Sequence, residues 1–354
     1  MANAITIGII GAGGIAQKLH LPQLAGSPDF KVTWLCGRRE SRLRALGERF
    51  DVPRWTTNPA DLLADASLDA IIVALPHPLH VEAGIAALKE GKHLMMQKPL
   101  CADMNEANAF VEAADRSDRT VLCLPHFSPE IYKAREMTQD GTLGKPSGAH
   151  CRTSHGGPEV YYAEVRDGFG ETDQDLWFFD AARASVGALF DMGVYAVASL
   201  VATLGSVVSV MGMTATVQKP TTLEDSATLL LEFENGAIGT AETGWCDPAR
   251  TFAYRIHGTA GKLTSPGEAG AAMTHWTPGS YTREDIPPVG RPVDASAYAT
   301  GNVHQHFLRC IRTGQQPPLS NAHAARHVTE ILLAGLESAR TGEKMVVKSR
   351  EHGR

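Results

Sequence analysis

From Ile5 to Leu124 short apolar runs alternate with longer helical stretches, and that alternation leaves few architectures open. Ile5, Ile7, Ile9 and Ile10 form a strand that runs directly into glycines, and Val32-Thr33-Trp34-Leu35 is a second strand. Ala70 to Leu75 is continuously apolar, as expected of a strand covered on both faces of a parallel sheet. His93–Met96 and Val121–Leu124 complete the set. Helix signals lie between the strands. Asn58-Pro59 places a cap residue before an N1 proline, Gly91 follows a helix over Val81–Glu90, and Asp103-x-x-Glu106 reads as a capping box. Repeated strand–helix units of this length predict an α/β domain, a doubly wound parallel sheet.

From about Gly148 the pattern changes. Thr228–Phe233 and Ile238–Thr243 flank Glu234-Asn235-Gly236-Ala237, a hairpin with an Asn-Gly turn. Val207–Met213 and Phe252–His257 read as further strands, with helices over Leu189–Leu204 and His323–Ala339. Ser265 to Ala299, rich in Gly, Pro and Ser, reads as long loops. This half is expected to be α+β, with a large, mostly antiparallel, open-faced sheet. The expected boundaries are 1–124 and 125–354, two domains being what 354 residues predict. Helices over about 302–342 are expected to pack back towards the first domain.

Composition excludes several classes. The net charge of −6 removes the basic footprint of a nucleic-acid binder. No apolar run approaches the ~20 residues that span a bilayer, and Met1-Ala2-Asn3-Ala4 lacks the basic and apolar segments of a signal peptide. The six cysteines lie far apart with no Cys-x-x-Cys, which points to thiols in a reducing compartment, the cytoplasm, and to no metal site.

Gly11-Ala12-Gly13-Gly14-Ile15-Ala16 follows the first strand and opens a helix. Glycines there allow a tight turn and close approach of the backbone to a pyrophosphate, which sits against the helix N-terminus. In an alternating α/β half this is the dinucleotide-binding (Rossmann) arrangement. An NAD site needs a carboxylate at the end of the second strand, yet that strand ends Leu35-Cys36-Gly37-Arg38-Arg39, with Asp29 too early and Glu40 too late. Arg38, Arg39, Arg42 and Arg44 crowd the start of the next helix, where cations oppose the macrodipole and ask for an anion. The 2′-phosphate of NADP supplies one, so NADP(H) is favoured, with NAD(H) the alternative if the arginines are only a solvated face.

Two segments carry candidate chemistry. Lys98 follows the strand His93–Met96, and ligands bind at the carboxyl ends of strands in open α/β sheets. In Gly187-Ala188-Leu189-Phe190-Asp191-Met192-Gly193-Val194-Tyr195, Asp191 and Tyr195 are spaced i, i+4 and share a helix face. Gly193 inside that helix costs roughly 1 kcal/mol relative to Ala, which suggests a close approach on its side.

With these segments the chain resembles the glucose–fructose oxidoreductase / inositol dehydrogenase / MocA (Gfo/Idh/MocA) family. Its marks are the glycine turn, Glu-Lys-Pro after the fifth strand, and Gly-x-x-x-Asp-x-Gly-x-His or -Tyr in the second domain; all occur here in order. The Glu of Glu-Lys-Pro is replaced by Gln97, which keeps a hydrogen-bonding reach and removes a charge beside Lys98. The resemblance implies that Lys98 hydrogen-bonds the reacting oxygen, that Tyr195 is the general acid/base, and that Asp191 binds a neighbouring hydroxyl or orients the other two. A phenol holds its proton well above neutral pH, so the role of Tyr195 asks for a nearby cation. Pro76, His77 and His80 follow the apolar run at Ala70–Leu75 and would face the cofactor, a plain turn being the alternative. His126 stands where the family often has Arg; it is either a substrate contact or a packed histidine. Tyr161, Tyr162, Trp177 and Phe178 suit stacking on a polyhydroxylated ring, or belong to the core. His304-x-His306 points its rings apart on a helix, against a metal site.

The expectation is therefore an NAD(P)-dependent dehydrogenase or reductase, NADP favoured, acting on a secondary alcohol or ketone of a sugar, cyclitol or dihydrodiol. A redox-assisted glycoside-processing enzyme with retained cofactor, and a non-catalytic dinucleotide-sensing regulator, are the alternatives. The open sheet face and the resemblance imply a homodimer or homotetramer, with a small polyhydroxylated substrate and neither nucleic acid nor membrane as partner.

Overall fold

A computed structural model describes residues 3–123, 125–171, 176–267, 271–281 and 285–352. Leu124, the last residue of the expected strand at 121–124, and parts of the Ser265–Ala299 stretch lie outside the described residues. The chain forms two compact units, each built from separate stretches: 1–126, 159–177 and 300–326 in the first, 127–158, 178–299 and 327–354 in the second. The units are thus discontinuous, where a single boundary at 124/125 was expected.

In the first unit six parallel strands, β1 (Ile5–Ile10), β2 (Phe30–Cys36), β3 (Arg54–Thr56), β4 (Ala70–Val73), β5 (His93–Met96) and β6 (Val121–Cys123), lie in the order β3-β2-β1-β4-β5-β6. The order reverses beside β1, which leaves a crevice at the carboxyl ends of β1 and β4. The Asn58 side chain accepts from the Ala60 N–H, and the Asp103 carboxylate from those of Asn105 and Glu106, the N-cap half of the expected capping box. Ile71, Val73, Leu94, Met96 and Phe110 pack on one face of the sheet, and Ile7, Ile9, Ile72, Met95 and Leu122 on the other. Val303, Phe307 and Leu308 of the helix Val303–Thr313, together with Phe169, belong to that second cluster. Burial of such side chains, about 1.5–3 kcal/mol each, ties segments 159–177 and 300–326 to the first unit. β3 was not read from the sequence; it is three residues long and too short to show a period.

In the second unit nine strands form one sheet. They are β7 (Pro146–Ser154), β8 (Val207–Ala215), β9 (Ser226–Phe233), β10 (Ile238–Gly244), β11 (Thr251–Gly258), β12 (Lys262–Ser265), β13 (Thr274–Thr277), β16 (Val289–Pro292) and β17 (Met345–Val346). Its order is β16-β13-β12-β11-β7-β10-β9-β8-β17; β7 and β10 run parallel and every other pair antiparallel. β14 (Ser280–Tyr281) and β15 (Asp285–Ile286) pair separately. Gly236, at φ +87°, makes the β9–β10 turn, with Gly236 N–H on the Phe233 carbonyl at 2.9 Å. The helix Val194–Leu204 covers one face of the sheet against β7 and β10, while Met211, Met213, Leu230 and Ile238 are exposed. β13 and β16 correct the expectation of loops over Ser265–Ala299. β16 is exposed throughout and carries Gly290 and Pro292, composition that hides an edge strand from a pattern reading.

Candidate active site

The glycine turn has the form a dinucleotide needs. Gly11 adopts φ +107°, and a Cβ there would run into the Ala74 carbonyl, so only glycine fits between β1 and β4. A Cβ on Gly13 would meet nothing within 4 Å. Open space beside backbone N–H groups at a helix start is what an anionic group such as a pyrophosphate requires. Gly14 is glycine for another reason: the Tyr162 ring lies 2.5 Å from where its Cβ would be. Ile15 leads into the turn Ala16–His20, and Ala16 is buried in the core. Tyr161 packs edge-on against Tyr162 at 4.8 Å, with the Lys18 ammonium 4.1 Å from the Tyr161 ring centre. Gly13→Ala is expected to change the unfolding free energy by less than about 0.5–1 kcal/mol and to weaken dinucleotide binding about tenfold or more. Urea denaturation and cofactor titration of the same sample check both.

At the end of β2, a Cβ on Gly37 would lie 3.5 Å from that of Ala12, so the strand end abuts the glycine turn. Arg38 is exposed, Arg44 pairs with Glu40 at 3.7 Å, and Arg39 and Arg42 both pair with Glu171. The anion these arginines call for is supplied, in the protein itself, by a residue that the sequence reading passed over.

Pro76 opens a short helical turn after β4 in which His77 is buried, its ring 5.4 Å from that of Trp177. His80 is buried, and its two ring nitrogens lie 2.8 Å from the carbonyls of Leu75 and Pro99, so it joins the two strand ends. Gln97 extends the β5 ladder through its N–H to the Val73 carbonyl, and its side-chain oxygen accepts from the Lys98 N–H at 3.3 Å. Lys98 is half-buried at this strand end, and its peptide bond to Pro99 is cis.

Behind Gln97 runs a buried polar chain. The Gln97 amide lies 2.9 Å from His20 Nε2, His20 Nδ1 is 2.9 Å from His304 Nε2, and His304 Nδ1 is 3.1 Å from Gln23 Oε1. With Gln97 donating, each neutral ring accepts at Nε2 and donates at Nδ1, so the chain closes without a charge. His306 turns elsewhere, its ring 5.4 Å from His126, whose Nε2 is 3.0 Å from the Thr300 hydroxyl. Burial holds His126 below the usual imidazole range.

These histidines make stability pH-dependent. Burial pushes His20 down to about 3, and His80, His304 and His306 to about 4. Below about pH 6.5 the unfolded chain binds protons that the folded chain refuses, so stability falls as pH drops towards 4. Each group adds a slope of up to about 1.4 kcal/mol per pH unit. Urea denaturation at about pH 7, 6 and 5 should show the loss, and His304→Gln should make it shallower; an equal slope in the variant would contradict the assignment.

In the second unit the segment Gly187–Tyr195 is strapped at its start by Glu224. The Glu224 carboxylate accepts from the N–H groups of Gly187 at 2.9 Å and Leu189 at 3.1 Å, and its carbonyl from that of Ala188 at 2.9 Å. A Cβ on Gly187 would strike that carbonyl. The turn Leu189–Gly193 is π-helical and continues into the helix Val194–Leu204. A Cβ on Gly193 would lie 2.8 Å from a Leu189 methyl of its own helical segment and 3.1 Å from the Thr243 methyl of β10. Asp191 Oδ2 accepts from the indole N–H of Trp245 at 2.9 Å, and His155 Nε2 lies 3.8 Å away. His155 Nδ1 accepts from the Gly157 N–H, which leaves the proton on Nε2, facing Asp191. Trp245 is fully buried among Ala188, Met192, Phe178, Phe179 and Tyr195. The Tyr195 ring meets Phe252 edge-on at 6.1 Å, and Phe252, exposed at the start of β11, adds an aromatic wall beside the phenol.

The unit therefore joins Asp191, Tyr195 and Phe178 around Trp245. His155, Trp245, Phe252 and Glu224 were missed; the one signal in the sequence is the pair of glycines in His155-Gly156-Gly157.

Comparison with known proteins places both units. A family model for an oxidoreductase family with an NAD-binding Rossmann fold matches residues 5–124, and one for the GFO/IDH/MocA C-terminal domain matches 131–264. The chain is 26% identical to D-xylose 1-dehydrogenase (NADP(+)) 2 of Haloferax volcanii, covering 95% of this chain and 97% of that protein. It is 24% identical to scyllo-inositol 2-dehydrogenase (NAD(+)) of Bacillus subtilis, covering 97% and 96%. Levoglucosan dehydrogenase in its apo form shares the fold, with a TM-score of 0.80 at 18% identity over 98% of this chain and 100% of that one.

Proposed function

The chain belongs to the GFO/IDH/MocA oxidoreductase family, and we propose that it is an NADP-preferring dehydrogenase acting on a secondary alcohol, or the matching ketone, of a sugar, cyclitol or dihydrodiol. The observation that carries the reading is Asp191, fixed by Trp245 on the helical segment that also presents Tyr195. The relatives' names support a polyhydroxylated substrate and leave the cofactor divided between NADP and NAD.

The bound nicotinamide supplies the hydride acceptor or donor. Gly11, Gly13 and Gly14 hold the pyrophosphate, and Arg38 and Arg39 the adenosine ribose side. Pro76, His77 and His80 shape the strand end under the cofactor. Lys98 hydrogen-bonds the reacting oxygen, and Gln97 fixes the backbone from which Lys98 projects. Tyr195 takes the hydroxyl proton during oxidation and returns it during reduction. Asp191 binds a neighbouring hydroxyl, while Phe252 and Phe178 offer apolar faces to the ring. His126, Tyr161, Tyr162 and Trp177, all in the first unit, are proposed to border the cofactor. The exposed Met211, Met213, Leu230 and Ile238 suit a second copy of the chain, so a homodimer or homotetramer is proposed, in the reducing cytoplasm.

The test is reduction of NADP⁺ and NAD⁺ in parallel by purified protein, over a panel of sugars, cyclitols and dihydrodiols. Turnover mainly with NADP⁺ supports the reading. Turnover mainly with NAD⁺ would make Arg39 and Arg42 partners of Glu171, not of a phosphate, and end the NADP preference, and tight cofactor binding with no reduction on any panel member would overturn the dehydrogenase assignment.

A further inference from the structure

The arginines at the head of the helix Glu40–Phe50 hold a carboxylate from a distant part of the chain. Glu171 is paired with both Arg39 and Arg42, and its side chain is only 13% exposed, against 47% for Arg39 and 16% for Arg42. The segment that delivers it is anchored. Phe169 packs against the cluster that holds Leu43 and Leu46, and the Arg42 guanidinium lies 5.0 Å from the Phe169 ring centre. Gly170 takes φ +63°, and the Glu171 N–H closes the turn on the Arg166 carbonyl at 3.0 Å. Arg166, itself buried, donates to the Glu159 carbonyl at 2.7 Å.

We propose that Glu171 is an internal stand-in for the 2′-phosphate of NADP, a specificity-determining residue that limits how strongly the protein prefers NADP over NAD. The inference rests on the proposed reading of the glycine turn and the arginines after β2 as a dinucleotide site. A carboxylate and a phosphate monoester compete for the same guanidinium donors. Binding the 2′-phosphate requires Arg39 and Arg42 to release Glu171, and the apparent NADP affinity is the intrinsic affinity multiplied by the fraction of protein in which they are released. NAD carries no such phosphate and leaves the pairs in place. Until NADP arrives, Glu171 also neutralises two cations at the positive end of a helix.

The test is equilibrium titration of the full chain with NADP⁺, NAD⁺ and 2′,5′-ADP, the phosphate-bearing fragment. The proteins compared are wild type, Glu171→Gln, Glu171→Ala, Arg42→Gln and the Glu171→Gln/Arg42→Gln pair, with melting curves to show that each is folded. Both Glu171 variants should tighten NADP⁺ and 2′,5′-ADP about tenfold while NAD⁺ stays within about twofold. The gain should vanish in the double variant, as coupling through a shared partner requires. The proposal is overturned if NADP⁺ affinity does not rise in the Glu171 variants. It is equally overturned if NAD⁺ weakens alone, which would make Glu171 an acceptor for the ribose hydroxyl. If the wild type binds neither dinucleotide, the underlying site reading fails and the proposal with it; if it binds both and the Glu171 variants leave the ratio unmoved, only the proposal fails.

Discussion

Replacing Lys98 by methionine is expected to lower kcat by about 10²–10⁴-fold and to leave NADP⁺ affinity within about threefold. Methionine matches lysine in length and apolar volume but can neither donate a hydrogen bond nor carry charge. The backbone beneath it stays in place, because Gln97 and the β4–β5 ladder hold it. Tyr195→Phe should cost a similar factor, since the ring still packs on Phe252 while its proton is gone. Steady-state kinetics with cofactor titration separate the two effects. A Lys98→Met enzyme retaining more than about a fifth of wild-type kcat would end the assignment of Lys98 to the reacting oxygen.

Trp245→Ala is expected to destabilise the protein by about 3–5 kcal/mol. The indole is fully buried in the cluster behind Tyr195, and its loss leaves a cavity there together with an Asp191 carboxylate short of a donor. Against a total stability of about 5–15 kcal/mol that is a large fraction. Trp245→Phe weights the comparison towards hydrogen bonding: it keeps an aromatic ring in the cluster and removes the N–H together with part of the indole volume. It should cost less stability than Trp245→Ala yet lose about tenfold or more in kcat/KM. Equal loss of stability in both variants would mean that the indole N–H, and not the volume, holds the cluster.

How much of this was legible depended on what each segment has to bury. The strands β1, β4 and β5 are rich in apolar residues because both faces of a parallel sheet are covered, β4 being an unbroken apolar run, and they were found. β7 lies between β10 and β11 and went unread because Pro146-Ser147-Gly148-Ala149-His150-Cys151-Arg152-Thr153-Ser154 is small and polar. His155 follows it and was lost with it. Gly11 is held to glycine by the adjoining strand end, whereas Gly14 and Gly187 answer to Tyr162 and Glu224, neighbours distant in sequence. The same limit applied to the arginines. Spacing shows a cluster that asks for an anion, but only the folded chain shows Glu171 brought to it from more than 120 residues away.

The most direct measurement of the central claim is isotope tracing with whichever panel substrate turns over, deuterated at its carbinol carbons. Deuterium on C4 of the released reduced nicotinamide, transferred by the wild type and not by Lys98→Met, is the predicted result. Oxidised product whose deuterium has gone to solvent, or deuterium returned to the substrate with no net reduced cofactor, would contradict it.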